Sequence, residues 1–237
     1  MDRAARLRAL TQARVALGRV GQALPTGAML DFQLAHARAR DAVHAELTTD
    51  GFAAAIGRNV IEVRSRASDR STYLRRPDLG RLLDPADAAP LQPAGADLAI
   101  VIADGLSATA VHAHAASLVT ELCARLSDWR IAPIVLARQA RVALGDEIGA
   151  ALGVDLVALL IGERPGLSAP DSLGAYLTWQ PRPGRLDSER NCVSNIRPPH
   201  GLGYAAAADR IAWLLRAARD LRLTGIGLKE DAMLPKP

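Results

Sequence analysis

Aromatic side chains are scarce in this chain: Phe, Tyr and Trp together make up 3% of its 237 residues. That excludes an aromatic-rich β-sandwich. The core has to come from Ala, Leu, Val and Ile, which favours helices packed on a parallel sheet. Cysteine is limited to Cys123 and Cys192. Residues 1–20 are charged and amphipathic, without the apolar run of a signal peptide. No stretch approaches the roughly 20 apolar residues of a membrane helix. A soluble, intracellular protein with reduced cysteines is expected, with no membrane partner. Lysine is nearly missing as well. The net charge of +4 rests on arginines interspersed with acids. Nucleic-acid binding, which asks for a clustered basic face, is not expected. The one dense patch, RSRASDRSTYLRRPDLGR (64–81), also holds Asp69 and Asp78 and suits a protein or phosphate contact.

Several motifs are missing too. Neither GxGxxG nor a P-loop lysine follows the first strong strand, which speaks against a dinucleotide or NTP site. Neither Ser107 nor Ser172 sits in a GxSxG elbow, so serine-hydrolase chemistry is not indicated. His36 and His44 share a helix face with Arg40 but lack the carboxylate of HExxH. His112 and His114 lie two apart and face different ways. No metal site is read.

What is present is a set of apolar runs that end in polar turns. DLAIVIA (97–103) runs into DGLSATA, and LVALLIG (156–162) runs into Glu163-Arg164-Pro165. A strand that empties into such a turn places its polar residues at the carboxyl edge of a sheet, where open α/β sheets bind ligands. Further strands are expected at NVIEVRS (59–65), IAPIVLA (131–137) and GAYLTWQP (174–181). Helices are expected over residues 3–22, 28–47, 107–126, 146–152 and 205–221, with a short one near 79–83. Thr26 and Ser107 read as helix caps. RNCVSNIRP (190–198) reads as a polar loop. DPADAAPLQPAGAD (84–97), with three prolines, is the best boundary. The fold class is therefore α/β. A mainly helical N-terminal region, 1–93, precedes a Rossmann-like parallel-sheet lobe, 94–237. From these signals alone, a stand-alone Rossmann-like small-molecule enzyme remains the alternative function.

Six blocks, taken in order and spacing, carry a resemblance. They are FQLAHARARDAV (32–43), YLRRPDLGRLL (73–83), VIADGLSATAV (101–111), ARQARVALGDEIG (137–149), LIGERPGLSAPDSLGAYLTW (160–179) and RNCVSNI (190–196). Together they resemble the small subunit of ethanolamine ammonia-lyase, over about residues 7 to 228. The resemblance implies an adenosylcobalamin enzyme that converts ethanolamine to acetaldehyde and ammonia by radical chemistry. It implies a large-subunit partner that holds the substrate, and a small subunit, inactive alone, that covers the corrinoid. The N-terminal region would make the large-subunit contact. Carried onto this sequence, the family's cofactor contacts fall on Val142, Glu163 and Cys192, with no catalytic residue and no metal ligand here. The chain lacks the DxHxxG motif of proteins that displace the cofactor's nucleotide base with histidine, which fits this family. A cytoplasmic location is expected. Packaging in a bacterial microcompartment goes in this family with an N-terminal extension, and this chain begins almost at the first block.

Overall fold

β-branched and leucine-rich runs without charge can be buried on both faces of a sheet, and two such runs form the centre of this fold. The computed structural model describes residues 3–93 and 95–229. Its strands are β1 (Val60–Arg64), β2 (Leu98–Ala103), β3 (Ile134–Arg138), β4 (Leu156–Gly162), β5 (Leu173–Trp179) and β6 (Arg190–Ile196). Its helices are α1 (Arg3–Leu10), α2 (Thr26–His44), α3 (Phe52–Ile56), α4 (Arg70–Arg75), α5 (Ala108–Arg125), α6 (Leu144–Leu152) and α7 (Tyr204–Leu221). All six strands join one sheet in the order β1-β3-β2-β4-β5-β6. Every residue of β2 and β4 is buried.

Side-chain alternation sorts the core into two layers. Leu98, Ile100 and Ile102 of β2 face α5 and α7, with Leu118, Leu122, Ile211 and Leu215 packed over them. Ala99, Val101 and Ala103 face the opposite way, towards Leu144, Ile148 and Leu152 of α6. Each fully buried Leu or Ile side chain contributes about 1.5–3 kcal/mol relative to exposure. Helices on both faces make this an α/β fold, as the sequence indicates.

Four details differ from expectation. The sheet is mixed: β1, β3, β2 and β4 are parallel, whereas β5 runs antiparallel to β4 and β6 antiparallel to β5. A loop of about ten residues between β4 and β5 is too short for a parallel crossover. The segment 190–196 is a strand rather than a loop. As an edge strand it needs apolar residues on one side only, and Val193 and Ile196 supply them. The first helix stops at Leu10, because none of its residues is buried and Ala16 and Gly18 take left-handed backbone conformations. Thr26 is the first residue of α2, preceded by Pro25, and makes no cap hydrogen bond. By contrast, the Ser107 hydroxyl accepts from the Ala110 N–H at 3.2 Å and caps α5.

β1 lies upstream of the proline-rich stretch yet pairs with β3. The division expected at 93/94 thus has strands of one sheet on both sides. Ala94 and the ends of both expected ranges, 1–2 and 230–237, lie outside the described residues.

Candidate functional site

The chain moves from β2 to β3 on one side, then crosses back over β2 to reach β4 on the other. The point of reversal lies between β2 and β4, and a crevice is expected beyond their carboxyl ends. A hollow of about 460 Å³ occupies that position. Tyr73, Arg141 and Val142 form one wall, and Glu163, Arg164 and Tyr176 another.

Close backbone approach shapes the hollow. A Cβ on Gly105 would collide with the Gly162 carbonyl oxygen, and one on Gly162 with the Ser107 carbonyl oxygen. These two glycines let the ends of β2 and β4 meet, where the Leu106 N–H donates to the Gly162 carbonyl at 2.9 Å.

Glu163 projects from the end of β4 over the start of β5. It accepts from the Ser172 hydroxyl at 2.5 Å, the Ser194 hydroxyl at 2.6 Å and the Asn195 N–H at 3.3 Å. A Cβ on Gly174 would lie 2.8 Å from its Oε1, so the bare backbone there makes room for the carboxylate. Glu163 forms no ion pair with Arg164; it ties β4, β5 and β6 together at one corner.

Cys192 stands opposite Tyr176 across the β5–β6 pair. Tyr176 packs against the layer that contains α6, while its neighbours Ala175 and Leu177 face the other layer. Burial, helped by Cys192, pushes the Tyr176 phenol up to about 12. Burial raises the Cys192 thiol above its ordinary value as well; the Glu163 charge adds to this and the Tyr176 hydroxyl opposes it. The direction is opposite to that of an activated thiolate nucleophile.

The wall opposite is pinned by Asp104, fully buried at the end of β2. It accepts from the Gln139 and Ala140 N–H groups at 2.8 and 2.9 Å and pairs with Arg70 at 3.4 Å. Burial pushes its carboxyl up, and the Ala140 N–H and the Arg70 guanidinium oppose that. Gln139 has φ +53, and the Ser65 hydroxyl holds its carbonyl at 2.6 Å. The strained turn that follows presents Arg141 and Val142 to the hollow. Tyr73, fully buried, donates to the Ala140 carbonyl at 3.0 Å and stacks under Arg141 at 4.3 Å.

Val142 and Glu163 thus line one hollow, and Cys192 joins them through Tyr176. Asp104, Arg70, Tyr73, Arg141 and Tyr176 are not singled out as site residues by sequence. A signal existed for Asp104, which directly follows the β2 run. None existed for the others, whose role depends on packing. A depression of about 550 Å³ lies at the amino ends of β1 and β3, and Arg58 is the one charged residue among those lining it.

Fold and site together define an α/β chain with a hollow at the carboxyl ends of its parallel strands. A family model described as ethanolamine ammonia-lyase light chain (EutC) matches residues 1–229. Proteins named ethanolamine ammonia-lyase small subunit are similar along nearly the whole chain. That of Rhodopseudomonas palustris is 58% identical over 236 residues, 96% of this chain and 90% of the relative. That of Bradyrhizobium diazoefficiens is 57% identical over 235 residues, 95% and 90% of the two chains. That of Pseudomonas syringae pv. tomato is 50% identical over 239 residues, 96% and 83%. The chain belongs to the ethanolamine ammonia-lyase light chain family.

Proposed function

We propose that this chain is the small subunit of an adenosylcobalamin-dependent ethanolamine ammonia-lyase and covers the corrinoid at the interface with a large subunit. One observation carries the reading. Val142 and Glu163, from distant segments, line one hollow at the sheet's switch point, and Cys192 lies beside it as the cross-strand partner of the lining residue Tyr176.

The lining suits a broad ring fringed with amides. Tyr176 and Val142 offer apolar surface. A carboxylate has about four acceptor positions, and three donors already occupy Glu163. That leaves room for one N–H from an amide side arm of the ring. Glu163 is held in place before the ligand arrives, so little ordering is lost on binding. Arg141 carries a buried Nε with no hydrogen-bond partner. When bound, the cofactor supplies the radical that starts the rearrangement of ethanolamine to acetaldehyde and ammonia. The role of this chain is to bind, orient and exclude water. Cys192 and Tyr176 are neutral at neutral pH at their ordinary values already, and burial pushes both further up.

The partner surface in this reading is the N-terminal arm. Ala42 is the single buried residue of α2. Met29, Leu30, Phe32 and Leu34 are exposed, as are Leu7 and Leu10 of α1. An apolar face of this extent on a helix bound only at its end marks an interaction surface.

The test is reconstitution with a large subunit and titration with adenosylcobalamin, followed by its visible spectrum. The complex is expected to take up the cofactor and release ammonia from ethanolamine. A complex that releases ammonia while Val142→Arg, Glu163→Ala and Cys192→Trp all leave cofactor affinity unchanged would move the cofactor away from this hollow.

A further inference from the structure

A second hollow, of about 370 Å³, adjoins the first and shares Arg141, Val142 and Tyr176 with it. Its remaining lining includes Arg81 and Asp187. Arg81 belongs to the dense basic patch at 64–81 and is exposed, and it forms no ion pair among the described residues. The Arg141 guanidinium carbon lies over the Tyr73 ring, 4.3 Å from its centroid. The Arg70 guanidinium carbon also lies over that ring, 4.8 Å from its centroid. The Arg141 Nη2 reaches only the Tyr73 carbonyl at 3.4 Å, and no carboxylate pairs with its guanidinium. Its Nε is buried without a partner. A buried donor left unmade is costly, and a guanidinium has five N–H groups to satisfy.

Asp187 does not neutralise this pair. It is largely exposed and engaged by the Arg190 Nε at 3.4 Å. Two backbone donors add to the positive character. The Val142 and Ala143 N–H groups stand ahead of α6 and make no backbone hydrogen bond. Two cations lining one hollow repel ethanolamine, which is itself a cation at neutral pH. Neutral amides of a corrin ring do not call for them either. The complement of two guanidinia and adjacent N–H groups is an anion with several oxygens, above all a phosphate. Adenosylcobalamin carries one such group, the phosphodiester of its nucleotide tail.

We propose that the hollow between Arg81 and Arg141 binds the phosphodiester of the cofactor's nucleotide tail, while the ring lies over Val142, Glu163 and Cys192. The inference rests on the corrinoid reading above and goes further by giving the two halves of the molecule separate sites on this chain. Arg141 makes the closer contact, held rigid by Tyr73, and Arg81 closes the hollow from the exposed side.

The test compares two ligands on the complex assembled with the large subunit. Adenosylcobalamin has the nucleotide tail; adenosylcobinamide has the same ring and lacks the tail and its phosphodiester. Equilibrium binding of each is measured for wild type, Arg81→Met and Arg141→Met, with a melting curve for every protein. Both variants are expected to weaken adenosylcobalamin by about 10- to 100-fold, the range of one charge-assisted hydrogen bond. Adenosylcobinamide affinity is expected to stay within about twofold. Arg81 is exposed and makes no ion pair among the described residues, so its variant tests the charge with little effect expected on the fold. Equal weakening of both ligands, or of neither, in Arg81→Met and Arg141→Met overturns the phosphate site and leaves the corrinoid reading standing. Failure of the wild-type complex to bind either corrinoid removes that reading and this proposal with it.

Discussion

Glu163 illustrates what a single residue does in this structure. An exposed carboxylate at the end of a strand ordinarily adds little to stability. The structure instead gives it three donors, Ser172 just ahead of β5 and Ser194 and Asn195 in β6. Glu163→Gln keeps the shape but turns one acceptor into a donor that faces a hydroxyl or an N–H. Stability is expected to fall by about 1 kcal/mol, or about 2–4 °C in Tm for a chain of this size. Cofactor affinity of the complex is expected to fall by about 10-fold or more. Calorimetry and titration on the same preparations check both effects. An unchanged Tm would mean that the serine contacts contribute nothing to the fold. Two carboxylates on the far side give a pH signature. Hydrogen bonds from Arg216 hold Asp128 down at about 2, and those from Arg130 hold Asp97 below the usual carboxylate range. A lowered folded-state pKa stabilises above the ordinary value of 3.8 and is lost as pH falls towards about 2. Asp128→Asn is therefore expected to flatten the decline of Tm between these values. At neutral pH it is expected to change Tm by no more than about 2 °C, because the pair is exposed. A parallel shift at all pH values would refute this. Of the site residues, Glu163 was legible from its place after a buried run, while Val142 and Cys192 were legible only through the resemblance. Tyr73 and Arg141 were not, because a ring stacked beneath a guanidinium leaves no mark on spacing.

At the scale of elements, α6 is fastened to the edge strand β6 by one pair. The Arg190 guanidinium meets the Asp146 carboxylate at 2.6 and 2.7 Å, with both side chains buried. Burial outweighs the partner and pushes Asp146 up. Arg190→Ala leaves an uncompensated buried carboxylate, which costs about 3–5 kcal/mol. A fall of about 10 °C in Tm is expected. Arg190→Ala with Asp146→Ala should recover part of it, because no lone charge remains buried. If the double variant is no more stable than the single one, the charge argument fails. The same strand shows why some elements escaped the sequence. β2 and β4 announce themselves as unbroken apolar runs because both their faces are covered. β6 alternates a buried Arg with exposed Cys and Ser, which reads as loop until Asp146 is seen opposite. The direction of β5 was equally hidden, since an apolar run carries no polarity along the sheet.

On the scale of the whole molecule, the chain divides its surface between a closed back and an open front. The expected arm at the N terminus projects apolar side chains that the rest of the chain does not cover. Leu30→Asp with Leu34→Asp is expected to leave Tm of the isolated chain nearly unchanged, since both are exposed, and to abolish co-purification with the large subunit. Survival of the complex would place the interface elsewhere. The isolated chain with adenosylcobalamin is expected to release no ammonia from ethanolamine, and a measurable rate would show that it holds substrate unaided.

The two faces of the sheet are not equally finished. One carries the long helices α5 and α7, whereas α6 on the other packs mainly on β2 and β4 and leaves Tyr176 half-buried and Cys192 exposed. In the corrinoid reading, the cofactor completes this thinner third layer. Whatever fills that space is bound by the native chain and not by the unfolded one. Saturation at 100 times Kd adds about 2.7 kcal/mol of stability by mass action alone. On that reading, the subunit's resistance to heat and proteolysis is expected to rise with cofactor concentration, which melting curves with and without adenosylcobalamin on the assembled complex check.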